Sequence, residues 1–323
     1  MKILLMLRDE FYQANPGLIE DAKKLGDVRI LYTDQGIAKD ELIKEVKDVD
    51  VILVAVVKID QEVIDAAPKL KYILKHGAGY DNIDVEYAAS KGIPVTNAPG
   101  VNAQSAADHA FGLMLAAARN IPQKDKEIKS GHWELSMGTE VYKKTLGIIG
   151  FGAIAKAVAK RATGFDMETL VYTNHRDLAE AEKLNVTFVD KEEIFKSSDY
   201  LVIATSLTAE NRYLVNQETL SLMKPTAYIV NVSRGQLINE MDLMGALEEK
   251  WIKGAALDVF EVEPPINHLP GMREVVATPH IGGATFESIK RIGDLSIANI
   301  VKLMNGEELE HVVNGVHSRV TQR

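Results

Sequence analysis

Short apolar runs alternate with amphipathic stretches along most of the chain, and this alternation limits the fold more than any other feature. ILLML at 3–7, VRILY at 28–32, DVILVAVV at 50–57 and KYIL at 71–74 are uninterrupted and rich in aliphatic residues. Between them lie helical patterns from Pro16 to Leu25, from Lys39 to Lys47, and over DQEVIDAA. Strands apolar on both faces and separated by helices belong to parallel sheets covered on either side. The pattern resumes after residue 144 with TLGIIG, ETLVYT, YLVIAT, AYIVNVS and GAALDV. The fold class is therefore α/β, with two doubly wound parallel-sheet domains expected. The region joining the two series, NAQSAADHAFGLMLAAAR at 102–119, is alanine-rich and apolar on most sides. It predicts a buried helix, with Asn102 in position to cap it. A last helical pattern from Thr285 to Met304 is placed to return the chain to the first domain, which would then be discontinuous.

The length of 323 residues accommodates two domains. No cysteine is present, which excludes a disulfide framework, a thiolate metal site and a thiol nucleophile. With 37 basic and 46 acidic side chains the formal charge is −9, which argues against nucleic acid or an anionic membrane as a partner of the whole molecule. The longest apolar stretch, Ala110 to Ala118, is about half of what a bilayer crossing requires. The apolar run before Arg8 is too short for a signal-peptide core, so a cytoplasmic protein is expected.

The strongest motif is GIIGFGAIA at 147–155. Gly150, Gly152 and Ala155 fit the G-x-G-x-x-G/A pattern, after a strand and at the start of the helical run AIAKAVAKRA. Gly150 allows a tight turn and Gly152 lets backbone approach a pyrophosphate. The N–H groups of the helix start, at Ala153 and Ile154, face the phosphates. The next strand ends in Tyr172-Thr173-Asn174-His175-Arg176, with no carboxylate before Asp177. An NAD enzyme usually places an acid near this point for the ribose hydroxyls, whereas an Arg pairs with a 2′-phosphate. Thr173, Asn174, His175 and Arg176 thus favour NADP over NAD.

Three further strand ends each carry one reactive side chain: Arg234 in AYIVNVSRG, Glu263 in GAALDVFEVEPP and His280 in VVATPHIGG. Together they suit reduction of a 2-keto acid. An Arg binds the carboxylate and polarises the carbonyl, a His supplies the proton, and a carboxylate orients the imidazole. Singly each would count for little, since the chain has eight histidines. No two of these sit at ligand spacing, and no metal site is expected.

These segments, with HGAGYDNID (76–84), GIPVTNAPG (92–100) and QSAADHAFGLML (104–115), resemble the D-2-hydroxyacid dehydrogenase family, the group of glyoxylate/hydroxypyruvate reductases and phosphoglycerate dehydrogenases. The resemblance covers essentially the whole chain. It implies Arg234 as substrate-binding Arg, Glu263 as imidazole partner and His280 as acid/base. It also implies Asp258 at the nicotinamide carboxamide, and Thr208, Val232, Ser233, Gly282 and Gly283 along the cofactor. The turn Gly77-Ala78-Gly79 is then expected to hold the substrate carboxylate through the Ala78 and Gly79 N–H groups, as an anion nest does. The family fold is a Rossmann nucleotide-binding domain, here 101–284, inserted into a flavodoxin-like substrate domain, here 1–100 and 285–323. A homodimer formed through the 102–119 helix and the segment after it is implied as well.

Two departures bear on substrate and cofactor. The adenine-side loop reads Thr205-Ser206-Leu207-Thr208, without the Pro common in the family. Val54-Ala55 stand where phosphoglycerate dehydrogenases commonly carry Arg-Ser, although Lys58 is kept. The sequence therefore points to an NAD(P)H-linked reductase of a small 2-keto acid such as glyoxylate or hydroxypyruvate. D-3-phosphoglycerate dehydrogenase is the alternative enzyme, and a non-catalytic dinucleotide sensor the alternative of another class.

Overall fold

The computed structural model describes residues 1–317, which separate into two compact units. One comprises Met1–Asn102 together with the chain from Gly283 onward, and the other comprises Ala103–Gly282.

The first unit is built on a five-stranded parallel sheet of β1 (Lys2–Leu7), β2 (Asp27–Tyr32), β3 (Val51–Val54), β4 (Tyr72–Lys75) and β5 (Val95–Thr96). The order is β2-β1-β3-β4-β5, with every pair parallel. β1 and β3 are central, and their uninterrupted apolar runs are buried on both faces. One side packs Leu4, Met6, Ile52 and Val54 against Leu42, Val63 and Ile64 of the connecting helices. The other packs Ile3, Leu5 and Leu7 against Leu18, Ala22 and Ile300. Ile300 lies on the helix Phe286–Asn305, which Thr285 caps by accepting the Ser288 N–H at 3.1 Å. This helix lies against the start of the chain: a Cβ at Gly293 would come within 2.3 Å of the Asn15 amide nitrogen. Beyond it, Val313 donates to the Val95 carbonyl at 2.9 Å, so the last described residues are laced to β5.

The second unit holds a seven-stranded parallel sheet: β6 (Thr145–Ile149), β7 (Glu168–Tyr172), β8 (Val186–Phe188), β9 (Tyr200–Ile203), β10 (Tyr228–Asn231), β11 (Gly254–Leu257) and β12 (Val275–Ala277). Its order, β12-β11-β10-β9-β6-β7-β8, reverses direction between β6 and β9, and ligands bind beyond the carboxyl ends of strands at such a point. The helix Ala103–Ala118 belongs to this unit and buries Ala107, Ala110 and Met114 against Ala155, Val158 and Ala159 of the helix Ala153–Ala162. Its alanines permit that close approach.

Three features differ from the sequence expectation. β5 and β8 are two and three residues long, too short to stand out as periodic runs. The apolar run at 50–57 is strand only over Val51–Val54, because the backbone leaves the sheet at Ala55. Asn102 does not cap the helix after it, since its side-chain oxygen is buried without a hydrogen-bond partner. No helix among the described residues is long and apolar enough to cross a membrane.

Candidate active site

β6 runs into the glycine turn at the point where the sheet order reverses. Gly150 has φ +99°, and a Cβ there would lie 2.5 Å from the Ala204 carbonyl oxygen at the end of β9. Only glycine meets both conditions, the left-handed backbone and the close approach. Gly152 is the reverse case: a Cβ would meet nothing within 4 Å. It stands at the start of the helix Ala153–Ala162, which has no side-chain cap. An uncapped helix N-terminus facing open space fits a dinucleotide pyrophosphate, since its N–H groups lack acceptors and the helix dipole favours an anion.

At the end of β7, Thr173 is half-buried and Asn174, His175 and Arg176 are exposed. The Thr173 hydroxyl accepts the His175 N–H at 3.2 Å, forming a tight polar turn. The Arg176 guanidinium lies 5.7 Å from the Phe188 ring centroid. Asp177, the first acid after the strand, caps the next helix through the Glu180 N–H and pairs with Lys156 at 2.6 Å. Beyond β9, the Thr208 N–H donates to the Asn211 side chain at 2.7 Å.

The Arg, Glu and His come from three successive strand ends on one side of this sheet. After β10, Asn231 shapes the NVSRG turn: its side-chain oxygen accepts the Ser233 N–H at 3.0 Å and its amide donates to the Arg234 carbonyl at 2.9 Å. Val232 is buried beneath the turn, and the Ser233 hydroxyl donates to the Thr205 carbonyl. Gly235 then brings this turn against the loop after β11, because a Cβ there would sit 1.9 Å from the Phe260 carbonyl carbon. The Gln236 amide adds a bond to the Glu261 carbonyl at 2.7 Å. Glu261 and Glu240 exchange backbone-to-carboxylate bonds of 2.9 and 2.6 Å, which fix the loop that carries Glu263.

Glu263 and His280 meet directly, with Glu263 Oε2 2.8 Å from His280 Nδ1. Burial alone would raise the Glu263 carboxyl, but the hydrogen bond and charge of His280 bring it below its ordinary value, with help from the Phe260 N–H and the Arg234 charge. An acceptor on Nδ1 orients the ring, and the His280 side chain is 42% exposed.

His280 is held in an uncommon backbone conformation, with φ +55°. For a non-glycine residue this costs about 1–2 kcal/mol and must be enforced by the surroundings. Asp258 enforces it. Its carbonyl accepts the His280 N–H at 2.8 Å. Its carboxylate, 1% exposed, accepts the Thr278 hydroxyl at 2.6 Å, the Ile281 N–H at 2.9 Å and the Gly282 N–H at 2.7 Å. The loop wraps so closely that a Cβ on Gly282 would lie 2.9 Å from Asp258 Oδ2. Burial pushes this carboxyl up, yet the bonds from His109, Thr278, Ile281 and Gly282 hold it below its ordinary value.

His109 completes the ring of contacts from the helix Ala103–Ala118, its Nε2 3.0 Å from Thr278 Oγ1 and 3.2 Å from Asp258 Oδ1. The Thr278 proton is used on Asp258, so Nε2 carries the hydrogen of the His109–Thr278 bond. Neither His109 nor Thr278 stands out in the sequence. Nothing in a helical QSAADHAF pattern links its histidine to a strand end more than 140 residues away. Among the described residues there is no group of three or more potential ligands placed to hold a metal.

Gly283, Ala78 and Gly79 belong to the first unit. The turn after β4 is shaped by Gly77, at φ +149°, whose carbonyl accepts the Ala98 N–H at 2.9 Å. Asn97 donates to the Ala78 carbonyl. Among the described residues no acceptor meets the Ala78 or Gly79 N–H.

Residues 111–282 match a family profile described as the D-isomer specific 2-hydroxyacid dehydrogenase, NAD binding domain. The chain is 42% identical over 299 residues to a glyoxylate reductase of Pyrococcus furiosus, covering 89% of each protein. It is 44% identical over 303 residues to a D-3-phosphoglycerate dehydrogenase of Methanocaldococcus jannaschii, covering 92% of this chain but 58% of that one. A solved structure of a glyoxylate reductase from Paecilomyes thermophila superposes with a TM-score of 0.86 at 29% identity, over 97% of this chain and 98% of that one. With a nicotinamide-dinucleotide domain across its second sheet and relatives along nearly all its length, the chain belongs to the D-isomer specific 2-hydroxyacid dehydrogenases, oxidoreductases that act on 2-hydroxy acids.

Proposed function

We propose that this dehydrogenase reduces a small 2-keto acid of the glyoxylate or hydroxypyruvate type, with NADPH preferred to NADH. The observation that carries the reading is the His280–Glu263 pair at 2.8 Å, on loops held by Asp258 and Gly235 beside Arg234. A nicotinamide dinucleotide held at the glycine turn would supply the hydride for this reduction. His280, protonated and oriented by Glu263, gives its Nε2 proton to the carbonyl oxygen. Arg234 presents a guanidinium to the carboxylate and to the charge that develops on that oxygen, a preorganised electrostatic contribution. The Ala78 and Gly79 N–H groups are the proposed second anchor of the carboxylate. Gly150, Gly152, Ala153 and Ile154 hold the pyrophosphate, with Thr208, Val232, Ser233, Gly282 and Gly283 as the remaining proposed cofactor contacts. Asp258 serves chiefly to hold the His280 loop, because three protein donors already occupy its carboxylate.

Preference for NADPH rests on the end of β7, where Arg176 is exposed and the one nearby carboxylate is paired. In the first unit, buried Val54 and Ala55 at the end of β3 offer a substrate phosphate no polar side chain of their own, which favours an unphosphorylated acid. The identity to a phosphoglycerate dehydrogenase keeps 3-phosphohydroxypyruvate as the second candidate. Assembly as a homodimer is proposed from the segment after the helix Ile121–Lys129, where Trp133, Leu135 and Met137 are 90, 93 and 83% exposed. Three large apolar side chains this exposed on one short stretch mark an interaction surface.

Steady-state turnover of glyoxylate, hydroxypyruvate and 3-phosphohydroxypyruvate, each with NADPH and NADH, tests substrate and cofactor together. His280→Ala is expected to lower kcat by about 10²–10⁴-fold while leaving NADPH affinity near that of the parent. An unchanged kcat would remove His280 from the chemistry.

A further inference from the structure

Asp177 is the only carboxylate between the end of β7 and the helix Leu178–Leu184, and both its oxygens are engaged. Oδ1 accepts the Glu180 N–H at 3.2 Å and so caps that helix. Oδ2 pairs with Lys156 Nζ at 2.6 Å. Lys156 lies on the helix that starts at the glycine turn, and its ammonium is 5.4 Å from the Phe151 ring centroid. Phe151 in turn meets Phe188 edge-on at 5.2 Å, and Arg176 lies over Phe188. Two aromatic rings thus carry one cation each, and one of those cations is spent on the neighbourhood's carboxylate.

We propose that Lys156 is a specificity-determining residue for the dinucleotide: by neutralising Asp177 it lets Arg176 and the Thr173–His175 turn receive a 2′-phosphate without an opposing charge. The proposal rests on the NADPH reading above. A stability role is the lesser one, because the two side chains are 29 and 43% exposed and such pairs contribute little to folding. The effect on a phosphate is larger, since that group carries about −1.5 to −2 charges. The Lys156 hydrogen bond first, then the Glu180 N–H, holds the Asp177 carboxyl below its ordinary value. An aspartate is ionised at neutral pH even without such help, so removing Lys156 leaves a full negative charge beside the Arg176 turn.

The test is a fluorescence titration of NADPH and of NADH into the intact protein, Lys156→Met, Asp177→Asn and the double variant, at low and at 0.5 M salt. Asn is as good a helix cap as Asp, so the helix start is retained. Lys156→Met is expected to weaken NADPH about fivefold at low salt, less at high salt, and to leave NADH within about twofold. Adding Asp177→Asn should restore most of the NADPH loss. Equal weakening of both dinucleotides would overturn the proposal, because Lys156 would then support the glycine turn itself. No recovery in the double variant would also overturn it, since Lys156 would then be contacting the phosphate directly. Tighter binding of NADH than of NADPH by the parent protein would refute the cofactor reading, and the proposal with it.

Discussion

Asp258→Asn tests how the loop that carries His280 is held. The parent carboxylate accepts three bonds from one loop, two of them from the backbone N–H groups of Ile281 and Gly282 on different oxygens. A carboxamide has one acceptor oxygen, so whichever way it turns, its NH₂ faces a donor. Leaving one buried N–H unsatisfied costs about 1–3 kcal/mol, and losing a charge-assisted bond costs about 1.5–3 kcal/mol. The combined loss, about 3–5 kcal/mol, corresponds to a fall in Tm of roughly 6–20 °C for a unit of this size. The slack is released at His280, whose left-handed backbone depends on that ring of bonds. A displacement of about 1 Å there lowers kcat by up to about 10²-fold. Thermal melts followed by circular dichroism, with kcat on glyoxylate and NADPH, measure both effects. The pH dependence has a definite sign. Asp258 has its carboxyl depressed below the ordinary 3.8, so its contribution is complete above that value and is lost as pH falls through the folded-state value. The parent should therefore lose stability more steeply than the variant below about pH 4. A variant that melts within about 2 °C of the parent with unchanged kcat would refute the reasoning.

Two further predictions concern the first unit and the assembly. His76 is fully buried, neither ring nitrogen has a hydrogen-bond partner, and burial first, then the Lys75 charge, push its pKa down from 6.5 to about 3. The unfolded chain binds this proton and the folded one does not, so the stability is complete above pH 6.5 and falls between there and about 3. His76→Leu should flatten that slope by up to about 1.4 kcal/mol per pH unit in urea titrations, and an unchanged slope would exonerate His76. Sedimentation velocity should show the parent as a dimer and Leu135→Asp as a monomer; a parent that sediments as a monomer at micromolar concentration would refute the proposed interface.

Much of the fold was legible because parallel strands buried on both faces leave unbroken apolar runs, as in ILLML and YLVI. β5 and β8 were not, because two or three residues carry no period, and their pairing depends on a neighbouring edge. Arg234, Glu263 and His280 were recognisable at strand ends because each follows an apolar run with a polar, glycine- or proline-marked turn. Their supports were hidden. Gly235 reads as one glycine among 23, and its purpose appears only when the Phe260 backbone is found where its Cβ would be. The apparent cap at Asn102 failed for the converse reason, since the residue type was right and the side chain points elsewhere.

By itself the sequence determined the α/β class, the glycine turn and the candidate side chains Arg234, Glu263 and His280, because periodicity and residue chemistry are local properties. Only the tertiary structure decided which groups hold those side chains. His109 reaches Thr278, Asp258 organises the 278–282 loop, and Lys156 engages Asp177. Each of these pairs is distant in sequence and is brought to hydrogen-bond range by packing a helix or loop against the sheet. A hydrogen bond depends on tenths of an ångström, and that precision is a property of the packed unit as a whole.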